Sequence, residues 1–212
     1  MAGDRWATFD CYGTLIDWNG GIRGELARVF GEQRADELLR RYHELEPQLE
    51  ADGERSYREV LTEAMRELGA PAGEEDALGR SLPSWRPFPE VPEALRQVRA
   101  NGWKLAILSN TDRDFIEASQ EQIGVPFELA IAASEIGSYK PALGHWRAFE
   151  REVGLLPDVH VAASLFHDIA PANELGLRSI WINRLGESAD PEPTRELSNL
   201  AALPEALDEV AA

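Results

Sequence analysis

Short apolar runs of β-type recur along this chain at Trp6–Phe9, Lys104–Leu108, Leu129–Ala133, His160–Ala163 and Ser179–Ile182. Helical patterns separate the later ones, over Pro92–Ala100, Asp114–Ile123, Leu143–Val153 and Pro171–Leu175, ending at Gly102, Gly124, Gly154 and Gly176. A glycine just past a helix end supplies the left-handed residue that closes it. Strands apolar on both sides of the pleat need cover on both faces. The alternation therefore predicts an α/β fold, a parallel sheet with helices on either side.

One stretch breaks the rhythm. From Asp17 to Trp85 the pattern is helical only, with helices expected near Ile22–Phe30, Asp36–Glu46 and Tyr57–Leu68. Ser56 with Glu59 three residues later is a capping box that starts the third. Pro87 and Pro89 mark the return of the strand–helix alternation. The organisation expected is a core of residues 1–16 and 87–212 with a helical cap, residues 17–86, placed like a lid.

Charge and composition narrow the function. With 21 Lys+Arg against 38 Asp+Glu the net charge is −17, which argues against nucleic acid or an anionic membrane as a partner. The single Cys11 excludes an internal disulfide, and no Cys/His spacing suggests zinc. By strand alternation Cys11 should point into the core. The first ten residues contain no apolar signal segment and no run of 18 apolar residues occurs, so a cytoplasmic location is expected.

Ligands of open parallel sheets bind beyond the carboxyl ends of the strands. There the sequence places Asp10-Cys-Tyr-Gly-Thr14 after the first run, Ser109-Asn110 after the second, Lys140-Pro141 after the third and Ser164-Leu-Phe-His167-Asp168 after the fourth. Each alone reads equally well as a helix cap or a solvated charge; their conjunction in this order is harder to explain that way. Asp10-Cys-Tyr-Gly-Thr-Leu15, Leu108-Ser-Asn110, Tyr139-Lys-Pro141 and Asp168, followed by Trp181-Ile-Asn-Arg184, resemble the four motifs of the haloacid dehalogenase superfamily. The resemblance spans nearly the whole chain and implies a Rossmann-like core with an inserted cap.

Most members of that superfamily are magnesium-dependent phosphatases, and magnesium needs hard oxygen ligands. Their pattern has a second Asp two residues after the nucleophile, where this chain has Tyr12, and a further Asp where it has Ala163. Both missing carboxylates point away from a metal, so no metal and no cofactor are expected. Without one, a phosphate dianion would face a net negative field between Asp10 and Asp168. Halide leaves carbon without a proton or a metal, and Asp-x-Tyr-Gly-Thr resembles the L-2-haloacid dehalogenase branch in particular. The partner implied is a small carboxylic acid; a homodimer is left open.

The resemblance implies that Asp10 displaces halide to give an ester that water hydrolyses. Lys140 would hold Asp10 ionised, Thr14 would orient it, and Asp168 would position or deprotonate the water. Ser109 and Asn110 would bind the substrate carboxylate, with Tyr12 beside them. From the cap, Arg41 stands where the family places its halide- and carboxylate-binding arginine, at the edge of the stripe Leu38, Tyr42, Leu45, Leu49. It could instead merely pair with Glu37 or Glu44. The chain departs from the branch where Leu165 replaces an Asn and Ala163 a Ser, which puts the holding of the hydrolytic water in question. His167 could substitute as polar contact or base. Trp146 takes the place of a pocket Tyr, or is plain core. Alternatives to dehalogenation are a magnesium-dependent phosphatase, opening of a strained ring acid such as azetidine-2-carboxylate, and a non-catalytic binding module.

Overall fold

The computed structural model describes residues 4–51, 53 and 55–212. Its centre is a six-stranded, all-parallel sheet of β1 (Arg5–Phe9), β2 (Trp103–Ser109), β3 (Leu129–Ala132), β4 (Val159–Ala162), β5 (Arg178–Ile182) and β6 (Arg195–Leu197). The spatial order is β3-β2-β1-β4-β5-β6. The first strand is thus central, with Phe9 in register with Ile107 on one side and Val161 on the other.

Alternate residues of each strand serve different cores, as a period of two requires. Ala7, Phe9, Leu105, Ile107, Val159 and Val161 join Leu95 and Val98 of α5 (Val91–Ala100) and Leu203 and Leu207 of α10 (Leu203–Ala211). Trp6, Ala106, Leu108 and Ile131 pack instead with Trp146 and Phe149 of α8 (Gly144–Val153). Each fully buried side chain of this kind contributes about 1.5–3 kcal/mol. The remaining core helices are α6 (Arg113–Ile123), the short α7 (Ala133–Ile136), and α9 (Ala170–Glu174), preceded by a π-turn at Leu165–Ile169. The four expected helix-closing glycines all have positive φ, between 66° and 85°.

Between β1 and α5 lie α1 (Trp18–Phe30), α2 (Ala35–Glu50), α3 (Tyr57–Glu67) and α4 (Ala77–Ser81). The chain leaves and re-enters the sheet side by side. Ile16 bridges Pro87 antiparallel, Asp17 N–H donates to the Arg86 carbonyl at 2.9 Å, and Phe88 N–H donates to the Leu15 carbonyl at 3.0 Å. Asp17 caps α1 through Gly20 N–H, and the Ser56–Glu59 capping box opens α3. The second helix runs past the expected stop at Glu46, through Pro47 to Glu50, because Leu49 still packs on the apolar cluster. Among the described residues no helix is long and apolar enough to cross a membrane.

Candidate active site

Asp10 lies one residue beyond β1, and its N–H donates to the Val161 carbonyl at 3.1 Å, so the sheet itself sets its place. Gly13 takes a φ of 86°, open to glycine almost alone, and turns the chain back so that Thr14 meets Asp10. The Thr14 hydroxyl donates to Asp10 Oδ2 at 2.7 Å and accepts from Ala163 N–H at 2.9 Å. It thereby ties the loop after β1 to the loop after β4.

Lys140 completes the centre. Its ammonium donates to Asp10 Oδ1 at 2.9 Å, to Asp168 Oδ1 at 2.6 Å and to the Leu108 carbonyl at 2.9 Å. All three protons are committed, and the side chain is only 1% exposed. Asn110 fixes the lysine from behind: its amide donates to the Lys140 carbonyl at 2.9 Å and its oxygen accepts from Lys140 N–H at 2.6 Å. Asp168 Oδ1 also accepts from His160 Nε2 at 3.0 Å, while His160 Nδ1 lies 2.9 Å from the Thr8 hydroxyl.

Burial and these charges compete. Burial opposes the Lys140 charge, but the Asp10 and Asp168 carboxylates outweigh it and push its pKa up to about 12. Burial acts against Asp168 as well, yet Lys140 and the His160 hydrogen bond hold its carboxyl well below the usual range. For Asp10 burial prevails over Lys140 and raises the carboxyl. Burial thus makes the Asp10 carboxyl more basic, while Lys140 and His160 keep the neighbouring Asp168 ionised.

Asp10, Ser109, Asn110, Lys140, Ser164, His167 and Asp168 line one cavity of about 550 Å³ together with the Tyr12 ring. The Tyr12 hydroxyl faces away, 2.9 Å from Ser119 Oγ, and its ring stacks on Tyr57 with centroids 6.2 Å apart. Ser164 Oγ accepts from the His167 N–H at 3.0 Å and lies 3.2 Å from its Nδ1; burial lowers the His167 pKa. Cys11 is buried in the core, and burial raises its thiol far out of reach of ionisation.

Three expected residues do not line the cavity: Thr14 is buried beneath it and reaches it only through Asp10, and Arg41 and Trp146 lie away from it. Arg41 is exposed and paired with Glu44 at 2.7 Å. The cavity-facing side of α2 is the one that carries His43, Glu46 and Glu50, and a step of five residues from Arg41 to Glu46 turns the helix by about 140°. Trp146 is fully buried behind the sheet, its ring set edge-on against His160 at 5.2 Å, because its helix packs on the second core. It supports the histidine and touches no ligand space.

The side of the cavity formed by α1, α2 and α3 holds residues that sequence reasoning missed. Trp18 stacks on His43 at 5.1 Å, and Asn19 bonds His43 Nε2 at 2.9 Å. Glu46 accepts from the Tyr57 and Tyr42 hydroxyls at 2.8 and 3.1 Å, and burial, opposed by those bonds, raises its pKa to about 7. Burial and the nearby Glu46 charge raise Glu50 to about 9. The spacing of His43, Glu46 and Glu50 at i, i+3 and i+7 was the available signal. His160 was also legible, since a histidine inside a buried parallel strand needs a partner. On the core side Arg184 donates to the Thr14 carbonyl at 2.9 Å, pairs with Glu90 at 2.8 Å and lies 3.5 Å over the Phe88 ring.

Known proteins share this arrangement of fold. A (S)-2-haloacid dehalogenase of Pseudomonas sp. strain YL is 28% identical over 219 residues, covering 96% of this chain and 94% of that one. A phosphoserine phosphatase of Thermus thermophilus is 29% identical over 151 residues, covering 68% of this chain and 59% of its own. The structure of L-2-haloacid dehalogenase from Xanthobacter autotrophicus with chloropropionic acid covalently bound superposes with a TM-score of 0.82 at 18% identity, covering 96% and 98% of the two chains. The model of the haloacid dehalogenase-like hydrolases matches residues 5–163. The chain is a hydrolase belonging to that family.

Proposed function

We propose that the enzyme hydrolyses the carbon–halogen bond of small 2-haloalkanoic acids, with Asp10 as nucleophile and no metal ion. The observation that carries this reading is the Asp10 carboxylate: both oxygens fixed, by Lys140 and Thr14, at the floor of a cavity and raised in basicity by burial. Asp10 attacks the α-carbon from the side opposite the halogen; the carbon–oxygen bond forms as the carbon–halogen bond breaks, and halide departs with the electron pair. The ester bonds Asp10 to the former α-carbon, and attack of water on its carbonyl carbon returns Asp10 and releases a 2-hydroxy acid. The substrate carboxylate would meet the Ser109 hydroxyl and the Asn110 N–H that is not bonded to Lys140.

Magnesium fits this donor set poorly. Ala163 stands where a ligand carboxylate would be needed, and Asp168 already accepts from Lys140 and His160. Among the described residues no three His, Cys, Asp or Glu side chains converge as metal ligands. Halide release from 2-chloropropionate and chloroacetate, undiminished by chelator, is the expected result. Release of phosphate from an aryl phosphate that stops with chelator, and no halide from any short haloacid, would overturn it.

A second reading has its own observation. Where a guanidinium was expected, the cap presents Glu46 and Glu50 to the cavity. That wall suits a small cyclic amino acid such as azetidine-2-carboxylate, whose ring ammonium would face the two carboxyl groups while Asp10 attacks the adjacent carbon. The carbon–nitrogen bond breaks, and the amine stays attached to the opened product. Ring opening without halide release from any haloacid would select this reading over the first.

A further inference from the structure

The reaction needs a base for the water that cleaves the Asp10 ester, and the side chains at the centre are poorly suited to it. Lys140 has no free lone pair and all its protons are bound. Asp168 accepts two hydrogen bonds on Oδ1 and is 1% exposed. Esterification makes this more pronounced, because Asp10 then loses its charge and Asp168 remains the one carboxylate bonded to Lys140. Its proton affinity is lowest at the moment when a base is required.

We infer that His167 is the catalytic base of ester hydrolysis. It belongs to the turn that carries Asp168 and lines the same cavity as Asp10. That turn is joined to the Asp10 loop by the bond from Ala163 N–H to the Thr14 hydroxyl. Its backbone and ring are both held by Ser164 Oγ, at 3.0 and 3.2 Å, and its ring meets Phe166 edge-on at 4.9 Å. Burial keeps the imidazole neutral, so a basic nitrogen is present at neutral pH. The charged groups that act on it are Asp168 of its own turn, Lys140 from the loop before α8 and Asp10 from the loop after β1. Glu46 and Glu50 of α2, and Arg184 and Glu187 beyond β5, line the cavity it faces.

The step balances. Water oxygen bonds to the Asp10 carbonyl carbon as its proton passes to the imidazole. The tetrahedral intermediate then expels the alkoxide of the hydroxy acid, which takes that proton back, and Asp10, left as the acid, gives the second proton of the water to solvent and returns to its carboxylate. Displacement of the halide, or of a ring nitrogen, needs no such base. His167 therefore belongs to the second half-reaction only, and it supplies the water contact that Leu165 cannot.

The inference rests on the proposed Asp10 displacement, and one experiment separates the two. Wild type, His167→Gln and Ser164→Ala are mixed with excess 2-chloropropionate or azetidine-2-carboxylate, quenched at intervals, and the intact mass of the protein is followed. In His167→Gln the first turnover should proceed near the wild-type rate while the adduct on Asp10 accumulates, its hydrolysis slowed by about 10²-fold or more. Ser164→Ala, which leaves the imidazole but frees its ring, should accumulate the adduct to a smaller extent. Clearance of the adduct in His167→Gln at the wild-type rate, or equal slowing of both half-reactions, overturns the role of His167 and leaves the displacement standing. If neither acid gives an adduct or product with wild type, the displacement itself falls, and the role of His167 with it.

Discussion

Glu50 offers the sharpest test of the electrostatics of the cavity. Its carboxyl has a pKa near 9 against an ordinary 4.5, raised by burial and by the Glu46 charge. Between those values the folded protein holds a proton that the unfolded chain has released, so this group makes stability fall as pH rises. At pH 8 the unscreened penalty is about 4.8 kcal/mol, from about 3.5 pH units at 1.36 kcal/mol each. Glu50 is only half-buried, and solvent screening reduces that to about 1–2 kcal/mol. Glu50→Gln keeps the shape and removes the titration. It should match wild type at pH 5 and melt about 3–6 °C higher at pH 8, measured by thermal unfolding at both. Equal offsets at the two pH values, or a less stable variant at pH 8, would refute the reasoning. The same variant should lose turnover of a ring amino acid and keep turnover of a haloacid, if either is a substrate.

Other outcomes follow from the same geometry. Asp10→Asn should fold, because Lys140 and Thr14 can still bond its amide oxygen or their neighbours, and should lose at least about 10³-fold in turnover; intact mass will show no adduct. Arg41→Ala removes an exposed i,i+3 pair with Glu44 and should leave kcat/KM unchanged and stability within about 0.5 kcal/mol.

Much of this was legible because a parallel sheet collects the ends of distant strands. Asp10, Ser109, Lys140 and Asp168 follow four apolar runs, and once those runs pair, the loops have one rim to occupy. Other elements gave weaker signals. Arg195–Leu197 is a three-residue edge strand with only Leu197 half-buried, so no apolar run announces it. The stripe Leu38, Tyr42, Leu45 does reach the core, but periodicity cannot tell which flank of such a stripe looks into a cavity. That depends on how the helix docks. Docking turned Arg41 to solvent and brought Glu46 and Glu50 to the ligand space.

The ammonium of Lys140 also bears on how the molecule comes apart. One nitrogen joins three remote stretches of chain: the loop after the central strand, the end of its neighbour, and the turn beyond the fourth. Withdrawing either carboxylate breaks a buried ion pair with the ammonium, at a cost of up to about 3–5 kcal/mol. Partial structures are therefore penalised where the chemistry resides, and such a centre cannot be half assembled. Catalytic competence and the integrity of the sheet should vanish together, in a single cooperative transition, under heat or urea.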